Sequence, residues 1–303
     1  MNIIPVVFIT DNNYAIPTSV ALQSMIDNAN PCYNYDVYVL SKSVSITNIN
    51  YFKQMAQKNV RVNIINIENN TLQKFDEEGY YVSSTALLKF DIANFLPQYD
   101  KVLYLDGDVL ILRDISELFK INIEGYYVAA VPDMAAIDAC HFEEHLDIRN
   151  YFNSGVMLLN TKLIREEELT EKLYEVKKMH PEYQCMDQDV FNDVFSKHIL
   201  FLPPKFNLMF YNFLIANFSL TRVNEFYNTC YSTFGDMEKD AVVIHLTNEK
   251  KPWKYRDAYK SSDWMKYYRK TLFFQNGIEI KYNDELKIVS KFGVFTKIWT
   301  PPK

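Results

Sequence analysis

Two aspartates separated by a single glycine, Asp106-Gly107-Asp108, break an otherwise apolar run in the segment KVLYLDGDVLIL, Lys101 to Leu112. Val102 to Leu105 has the length of a buried strand in a parallel sheet and is far too short to cross a membrane. Carboxylates at the end of a core strand are costly unless they are hydrogen-bonded, paired or bound to a cation. Side chains alternate along an extended segment, so the two aspartates point the same way, and Gly107 permits a bend and the close approach of a ligand. Two oxygens on one side of a strand end make half a site for Mg²⁺ or Mn²⁺, with room for phosphate oxygens. A plain turn that ends the strand is the alternative these residues leave open.

The surrounding elements must deliver this segment to a sheet. Ile3 to Ile9 reads as a first strand, broken by Thr10-Asp11-Asn12-Asn13, and Ile16, Val20, Leu22, Met25 and Ile26 then fit one face of a helix over Ala15 to Ile26. Tyr35 to Leu40 and Val60 to Ile67 read as strands, with Ile46 to Gln57 and Ser84 to Phe95 as helices. This alternation predicts βαβ units and a parallel sheet, in which ligands collect beyond the carboxyl ends of strands. Asp11, Asn13, Asp106 and Asp108 fall at such ends. No GxGxxG or GxxxxGK[ST] loop is present among only seven glycines, so phosphate must be held by a cation and side chains.

Downstream, Tyr126 to Pro132 reads as a strand ending at Asp133, Tyr151 to Asn160 as a polar turn and strand, and Lys162 to Lys178 as a surface helix. Asp187 opens a helix whose N-terminus it suits electrostatically. Ile199 to Leu202 reads as a short strand, Phe210 to Cys230 as an aromatic wall on the acceptor side, and Ala241 to Leu246 as a last core strand with His245 near its end. His141 and His145 stand in HFEEH, where the glutamate is misplaced for a zinc protease.

With 303 residues, 48% of them hydrophobic, the chain can bury one large core or two joined ones. Cys32, Cys140, Cys185 and Cys230 are widely spaced, which suggests free thiols. No apolar run reaches the length of a membrane span and the start lacks a basic leader, so a soluble, cytoplasmic protein is expected. From Glu249 onward thirteen Lys or Arg face six Asp or Glu, a net of +7 that leaves −13 for the rest of a chain whose formal charge is −6. An acidic body with a basic tail argues against nucleic-acid binding and for one localised anionic contact.

Together these segments resemble glycosyltransferase family 8, whose members include glycogenin and bacterial lipooligosaccharide galactosyltransferases, over about Ile3 to Trp253. The resemblance implies an α/β chain of GT-A fold: a single Rossmann-like, nucleotide-binding mixed sheet flanked by helices over residues 1–254, with a small basic and aromatic C-terminal extension over 255–303. ITDNNY resembles the family's first-strand motif and implies contacts from Thr10, Asp11, Asn13 and Tyr14 to the uracil and ribose of a UDP-sugar. LYLDGDVL resembles its DxD motif, which implies that Asp106, Gly107 and Asp108 hold Mn²⁺, or Mg²⁺, and through it the diphosphate. FNSGVMLLN implies Asn153 and Ser154 beside the transferred sugar, Asp187 and Gln188 fall on the family's DQD motif, and Asp133 matches an aspartate that contacts sugar hydroxyls. HLTNEKKPW resembles HxxGxxKPW, which implies His245 as a third metal ligand and Lys251 on a phosphate.

Two residues depart from the family. Leu87 stands where a YxRL-like pattern has arginine, with Lys89 as a less direct replacement, and Asn248 replaces a glycine while tolerating left-handed backbone. The implied reaction moves a hexose, galactose or glucose, with retention from UDP-hexose to a saccharide acceptor, including a lipid-linked one, in lipooligosaccharide or other surface-glycan synthesis. Asp133, Asn153, Asp187 and Gln188 are the implied catalytic residues. The amide oxygen of Gln188 is a poor nucleophile, so same-face attack beside the departing diphosphate is expected over double displacement. Beyond Tyr255, Trp264, Met265, Tyr267, Tyr268, Leu272, Phe273 and Phe274 alternate with Lys266, Arg269 and Lys270. That mixture suits peripheral contact with an anionic membrane, or a subdomain with strands at Ile278 to Tyr282 and Leu286 to Val289. Two rivals stay open: a nucleotidyltransferase, which would need a glycine-rich phosphate loop that TDNNY lacks, and a catalytically impaired carbohydrate- or nucleotide-binding protein, which Leu87 keeps in view.

Overall fold

Near-continuous apolar runs form strands buried on both faces, and they lie at the centre of the sheet. The computed structural model describes residues 3–67, 84–139, 151–183, 185–283, 286–290 and 293–297. Its strands are β1 (Ile3–Thr10), β2 (Asn34–Lys42), β3 (Val60–Ile67), β4 (Val102–Leu105), β5 (Val109–Ile111), β6 (Val128–Pro132), β7 (Phe152–Leu159), β8 (Ile199–Phe201) and β9 (Val243–His245). Seven of them make one sheet in the order β3-β2-β1-β4-β7-β6-β8, and β5 pairs with β9 apart from it. Successive residues serve opposite faces: Ile4, Val6, Phe8, Leu103 and Leu105 enter one apolar core, while Val7, Ile9, Val102 and Tyr104 enter the other.

The parallel sheet expected from the βαβ pattern holds for β3, β2, β1 and β4 and again for β6 with β8, whereas β7 runs antiparallel to both β4 and β6. Pro132, at the end of β6, faces Phe152, at the start of β7. The chain therefore re-enters the sheet at the end where it left, and the return strand must reverse. The mixed sheet implied by the family resemblance is the one that forms.

Helical expectations are refined in three places. Ser84 to Phe95 is a 3₁₀ helix, Ser84–Asp91, followed by one α-helical turn, Ile92–Phe95. The surface helix is two helices, Thr161–Glu166 and Leu169–Met179, parted where Glu168 adopts a left-handed backbone with φ 53°. The aromatic stretch contains Phe210–Ile215 and Leu220–Tyr227. His141, His145 and Cys140 lie outside the described residues.

In the C-terminal extension, the strand expected at Ile278 to Tyr282 is irregular chain. Ile278 and Ile280 pack against the first core, and Tyr282 is held by Arg256, whose guanidinium lies 4.0 Å from the ring centre. Among the described residues no neighbouring strand offers them a ladder, whereas Leu286–Ser290 (β10) pairs antiparallel with Gly293–Lys297 (β11). The helix Ser261–Tyr268 lies against the helix Ala15–Asp27, and it buries Trp264, Tyr267 and Tyr268 in the first core. Trp264 is 1% exposed, stacked on Tyr268 at 5.2 Å and tilted on Trp253 at 5.8 Å. Trp264→Ala should therefore lower the unfolding free energy in urea by about 3–5 kcal/mol. A loss below about 1 kcal/mol would place Trp264 outside the cooperative core.

Candidate active site

The end of β4 delivers the paired carboxylates. Asp106 donates its N–H to Gly155 O at 2.8 Å, which ties the turn to β7, and the Tyr104 hydroxyl donates to Asp106 Oδ1. Gly107 has no room for a side chain, because a Cβ there would come 2.4 Å from Thr18 Oγ1 on the helix Ala15–Asp27. Immediately beyond, β5 pairs with β9 so that Val109 faces His245, and Leu246 donates its N–H to Asp108 O. Strand pairing alone therefore brings His245 to the aspartates across a long sequence separation.

Ligand atoms of Asp106, Asp108 and His245 lie within 4.8 Å of one another. His245 Nε2 is 3.1 Å from Asp108 Oδ1 and 3.7 Å from Asp106 Oδ2. Its Nδ1 lies 3.1 Å from Asn207 Oδ1, and Asn207 Nδ2 donates to Asn153 Oδ1, so the Asn207 oxygen is turned to the imidazole. Nδ1 then donates to Asn207, which leaves Nε2 as the ring nitrogen turned to the carboxylates. Two hard oxygens and one imidazole lone pair converging on one point fit a divalent cation.

Ammonium groups flank the pair. Lys251 lies 2.8 Å from Asp108 Oδ2 and also donates to Leu246 O, while Lys89 lies 3.2 Å from Asp106 Oδ1 and 2.8 Å from Asp187 Oδ2. Burial alone would raise the Asp108 carboxyl, but Lys251 and His245 outweigh it and hold the group well below the usual carboxylate range. For Lys89, burial works against the charge, and Asp106 with Asp187 reverse it, so the ammonium is held above its ordinary value.

Opposite this group, amides form a relay. Gln188 Oε1 accepts from Asn153 Nδ2 at 3.0 Å and from Ser154 N–H at 3.1 Å, and Gln188 Nε2 donates to Asp133 Oδ2 at 3.3 Å. Asn153 Nδ2 also donates to Asp133 Oδ2, and Ala136 N–H donates to Asp133 Oδ1. Asn153 Oδ1 accepts from Gly155 N–H and from Asn207, which closes the relay onto His245. Asp187 sits at the start of its helix, Asp187–Phe195, and its Oδ2 accepts from Ser154 Oγ as well as from Lys89.

A cavity of about 870 Å³ joins these groups. Its walls take in Thr10, Asp11, Tyr14, Lys89, Asp106, Gly107, Asp108, Asp133, Asn153, Ser154, Asp187, Gln188, His245, Asn248 and Lys251. Asn13 is exposed and is not among the lining residues. Asp11 Oδ1 accepts the Tyr14 N–H at 2.9 Å, and the Tyr14 ring meets Trp253 edge-on at 5.8 Å. Asn248 does not take the left-handed backbone that its replacement of glycine suggested. Leu87 is 0% exposed within the second core and stands away from the cavity walls.

Residues 5–257 match the description "Glycosyl transferase family 8". This chain belongs to glycosyltransferase family 8. It is 26% identical to a lipopolysaccharide 1,2-glucosyltransferase of Escherichia coli, over 95% of this chain and 87% of that protein. It is 24% identical to general stress protein A of Bacillus subtilis, over 85% and 92%. The fold matches that of the galactosyltransferase LgtC, solved with donor and acceptor sugar analogs, at a TM-score of 0.72 and 23% identity over 89% of this chain and 96% of that one. The sheet is that of a GT-A glycosyltransferase, and glycosyl transfer is the family's chemistry.

Three site residues of this family member gave no local signal. Gly155 lies inside the quoted FNSGVMLLN segment, yet only the structure shows that a Cβ there would stand 2.1 Å from His245 Cε1 and 2.8 Å from Asp106 Oδ2. Asn207 stands in the FNLM segment just beyond Pro203 and Pro204, where an asparagine is unexceptional, and Tyr104 reads simply as a strand residue. Gly155→Ala should displace His245 and weaken Mn²⁺ binding on the order of tenfold. Titration of free Mn²⁺ by electron paramagnetic resonance reads this out, beside an unchanged circular dichroism spectrum. Wild-type affinity in the folded variant would remove His245 from the ligand set.

Proposed function

We propose that this enzyme moves a hexose, galactose or glucose, from a UDP-sugar to a saccharide acceptor, with retention and with Mn²⁺ as its preferred cation, in the synthesis of a surface glycan. The observation that carries this reading is one cavity with two chemically distinct walls: Asp106, Asp108, His245 and Lys251 on one, and Asp133, Asn153, Asp187 and Gln188 on the other. The name of the Escherichia coli relative supports a lipopolysaccharide-type acceptor and a glucose donor, and LgtC supports galactose. A bound divalent cation, held by Asp106, Asp108 and His245, would supply charge stabilisation to the departing diphosphate. Lys251 adds an ammonium on the same side, where negative charge develops on the leaving group. Thr10, Asp11 and Tyr14, with Asn13 beside them, are proposed for the nucleoside, and Asn248 for the phosphate loop.

Same-face attack is the route these residues favour. Gln188 Oε1 already accepts two hydrogen bonds, so its lone pairs are committed to β7 rather than to an anomeric carbon. Asp187 is held through Oδ2 by Lys89 and Ser154, which fixes its carboxylate for orienting the sugar. These groups orient the sugar, and the acceptor hydroxyl enters beside the leaving diphosphate, one of whose oxygens takes the hydroxyl proton. Incubation with Mn²⁺ and each of several UDP-sugars should release UDP from UDP-glucose or UDP-galactose, and chelation should stop it. Mn²⁺-dependent UDP binding without turnover of any UDP-sugar, with or without saccharide acceptors, would favour the impaired binding protein that the buried Leu87 keeps in view.

The extension over 255–303 is proposed to make peripheral contact with an anionic membrane at the cell's inner face, bringing the site to a lipid-linked acceptor. Among the described residues no helix is long and apolar enough to cross a membrane. Trp264, Tyr267 and Tyr268 are buried, so the contact falls to Phe274, 43% exposed, with the exposed Lys266, Arg269 and Lys270. Lys266→Glu with Arg269→Glu should abolish flotation with phosphatidylglycerol vesicles, since each basic residue near such a surface contributes about 1 kcal/mol. Equal flotation of wild type and variant would end the membrane reading.

A further inference from the structure

Lys89 is 6% exposed, and its ammonium has three acceptors: Asp187 Oδ2 at 2.8 Å, Asp106 Oδ1 at 3.2 Å and Ser154 Oγ at 3.4 Å. Two of its three N–H donors are hydrogen-bonded inside the protein, to Asp187 and Ser154, and an ion pair joins it to Asp106. The Tyr104 ring closes another side, its centre 5.0 Å from Nζ. Although it lines the cavity, Lys89 has its charge shared between two carboxylates, and its contribution to the site passes chiefly through them.

Those carboxylates belong to different walls. Asp106 is part of the cation triad, whereas Asp187 stands beside Gln188 and Asn153. The contacts of Asp187 among the described residues run through Oδ2, which leaves Oδ1 available at the cavity wall. Leu87 is withdrawn into the second core, and the ammonium of Lys89 is held behind two carboxylates.

We propose that Lys89 is a positioning residue that couples the cation site to the donor-sugar site: one ammonium holds Asp106 against the pull of the cation and turns Asp187 so that Oδ1 accepts a hydroxyl of the donor hexose. The sugar half of this statement rests on the hexose-transfer reading, and the cation half stands without it. The two ends of the bridge respond in opposite senses. Loss of the ammonium leaves Asp106 more negative and strengthens its hold on a divalent cation, while it frees Asp187 to rotate and weakens recognition of the hexose.

The test uses Lys89→Met, Asp187→Asn and the double variant in the full chain. Mn²⁺ alone, titrated by electron paramagnetic resonance, should bind Lys89→Met on the order of tenfold more tightly than wild type. Calorimetry in saturating Mn²⁺ should show the ratio of UDP-hexose to UDP affinity falling on the order of tenfold in each single variant, with no further fall in the double variant. Lys89→Arg, which keeps the charge, should hold Mn²⁺ affinity near wild type. General disruption of the site would weaken Mn²⁺ binding, so unchanged or weaker binding to a folded Lys89→Met overturns the proposal, as do additive effects on the affinity ratio. If Lys89→Met does not fold, Lys89→Gln takes its place under the same criteria. Should wild type bind UDP and no UDP-hexose, the hexose-transfer reading falls, and the Mn²⁺ titration alone decides the role of Lys89.

Discussion

Two carboxylates at the end of one buried strand repel each other and lose hydration, and much of the surrounding structure is arranged to offset that cost. Asp106 and Asp108 receive their counter-charges from three separate places: Lys89 in the 3₁₀ helix Ser84–Asp91, His245 at the end of β9 and Lys251 in the loop beyond it. Each partner is itself buried or nearly so, and removing one partner of a buried pair typically costs about 3–5 kcal/mol. The separate β5–β9 pair makes sense on these terms. It adds little area to the main sheet, yet it sets Val109 opposite His245 and thereby fixes the imidazole beside Asp108. A divalent cation would take over part of the neutralisation that the lysines now supply, leaving Lys251 able to turn toward a phosphate.

Steric closeness is the second constraint. Gly107 lies against Thr18 and Gly155 against His245, so the two glycines let the helix Ala15–Asp27 and the imidazole approach the carboxylates without an intervening methyl group. The amide relay from Asp133 through Gln188, Asn153 and Asn207 then removes rotational freedom from the histidine. Each amide has its oxygen and nitrogen assigned by its neighbour, and a flip at one position would set two donors or two acceptors face to face. The wall of Asp133, Asn153, Asp187 and Gln188 and the wall of Asp106, Asp108 and His245 are thus joined twice, through this relay and through Lys89.

What the sequence made legible was local. β1, β3 and β4 follow from short apolar runs, and the Asp-Gly-Asp turn declares itself because two charges in a core strand demand a partner. The reversal of β7 was hidden from periodicity, since a strand buried on both faces reads the same in either direction. Gly155 and Asn207 were hidden for a different reason. Their importance lies in contacts with His245, far along the chain, and neither residue type is unusual where it stands. Leu87 stands out in the sequence as a missing arginine, but its burial in the second core, with Val7, Ile9 and Leu40, is set by the face of the 3₁₀ helix that turns inward. The residues that the resemblance points to line one cavity, Asn13 apart, and geometry distinguishes Lys89 among them because its ammonium is held between two carboxylates.

The C-terminal extension shows why composition averages over faces that do different work. Its aromatics and its basic residues look like one interfacial mixture when read along the chain. In space, Trp264 and Tyr268 continue a ladder of rings that begins at Tyr14 in the cavity and passes through Trp253, while Phe274 ends it at the surface. Asn283 donates its N–H to Lys254 O, and both residues line the cavity with Tyr255. The inward face therefore supports the ring at the candidate nucleoside end of the site, and only the outward face is free for a surface. A change that strips the outward charges should spare Tyr14, whereas one that empties the space of Trp264 should reach it through Trp253, because rings in contact share the cavity left when one is removed.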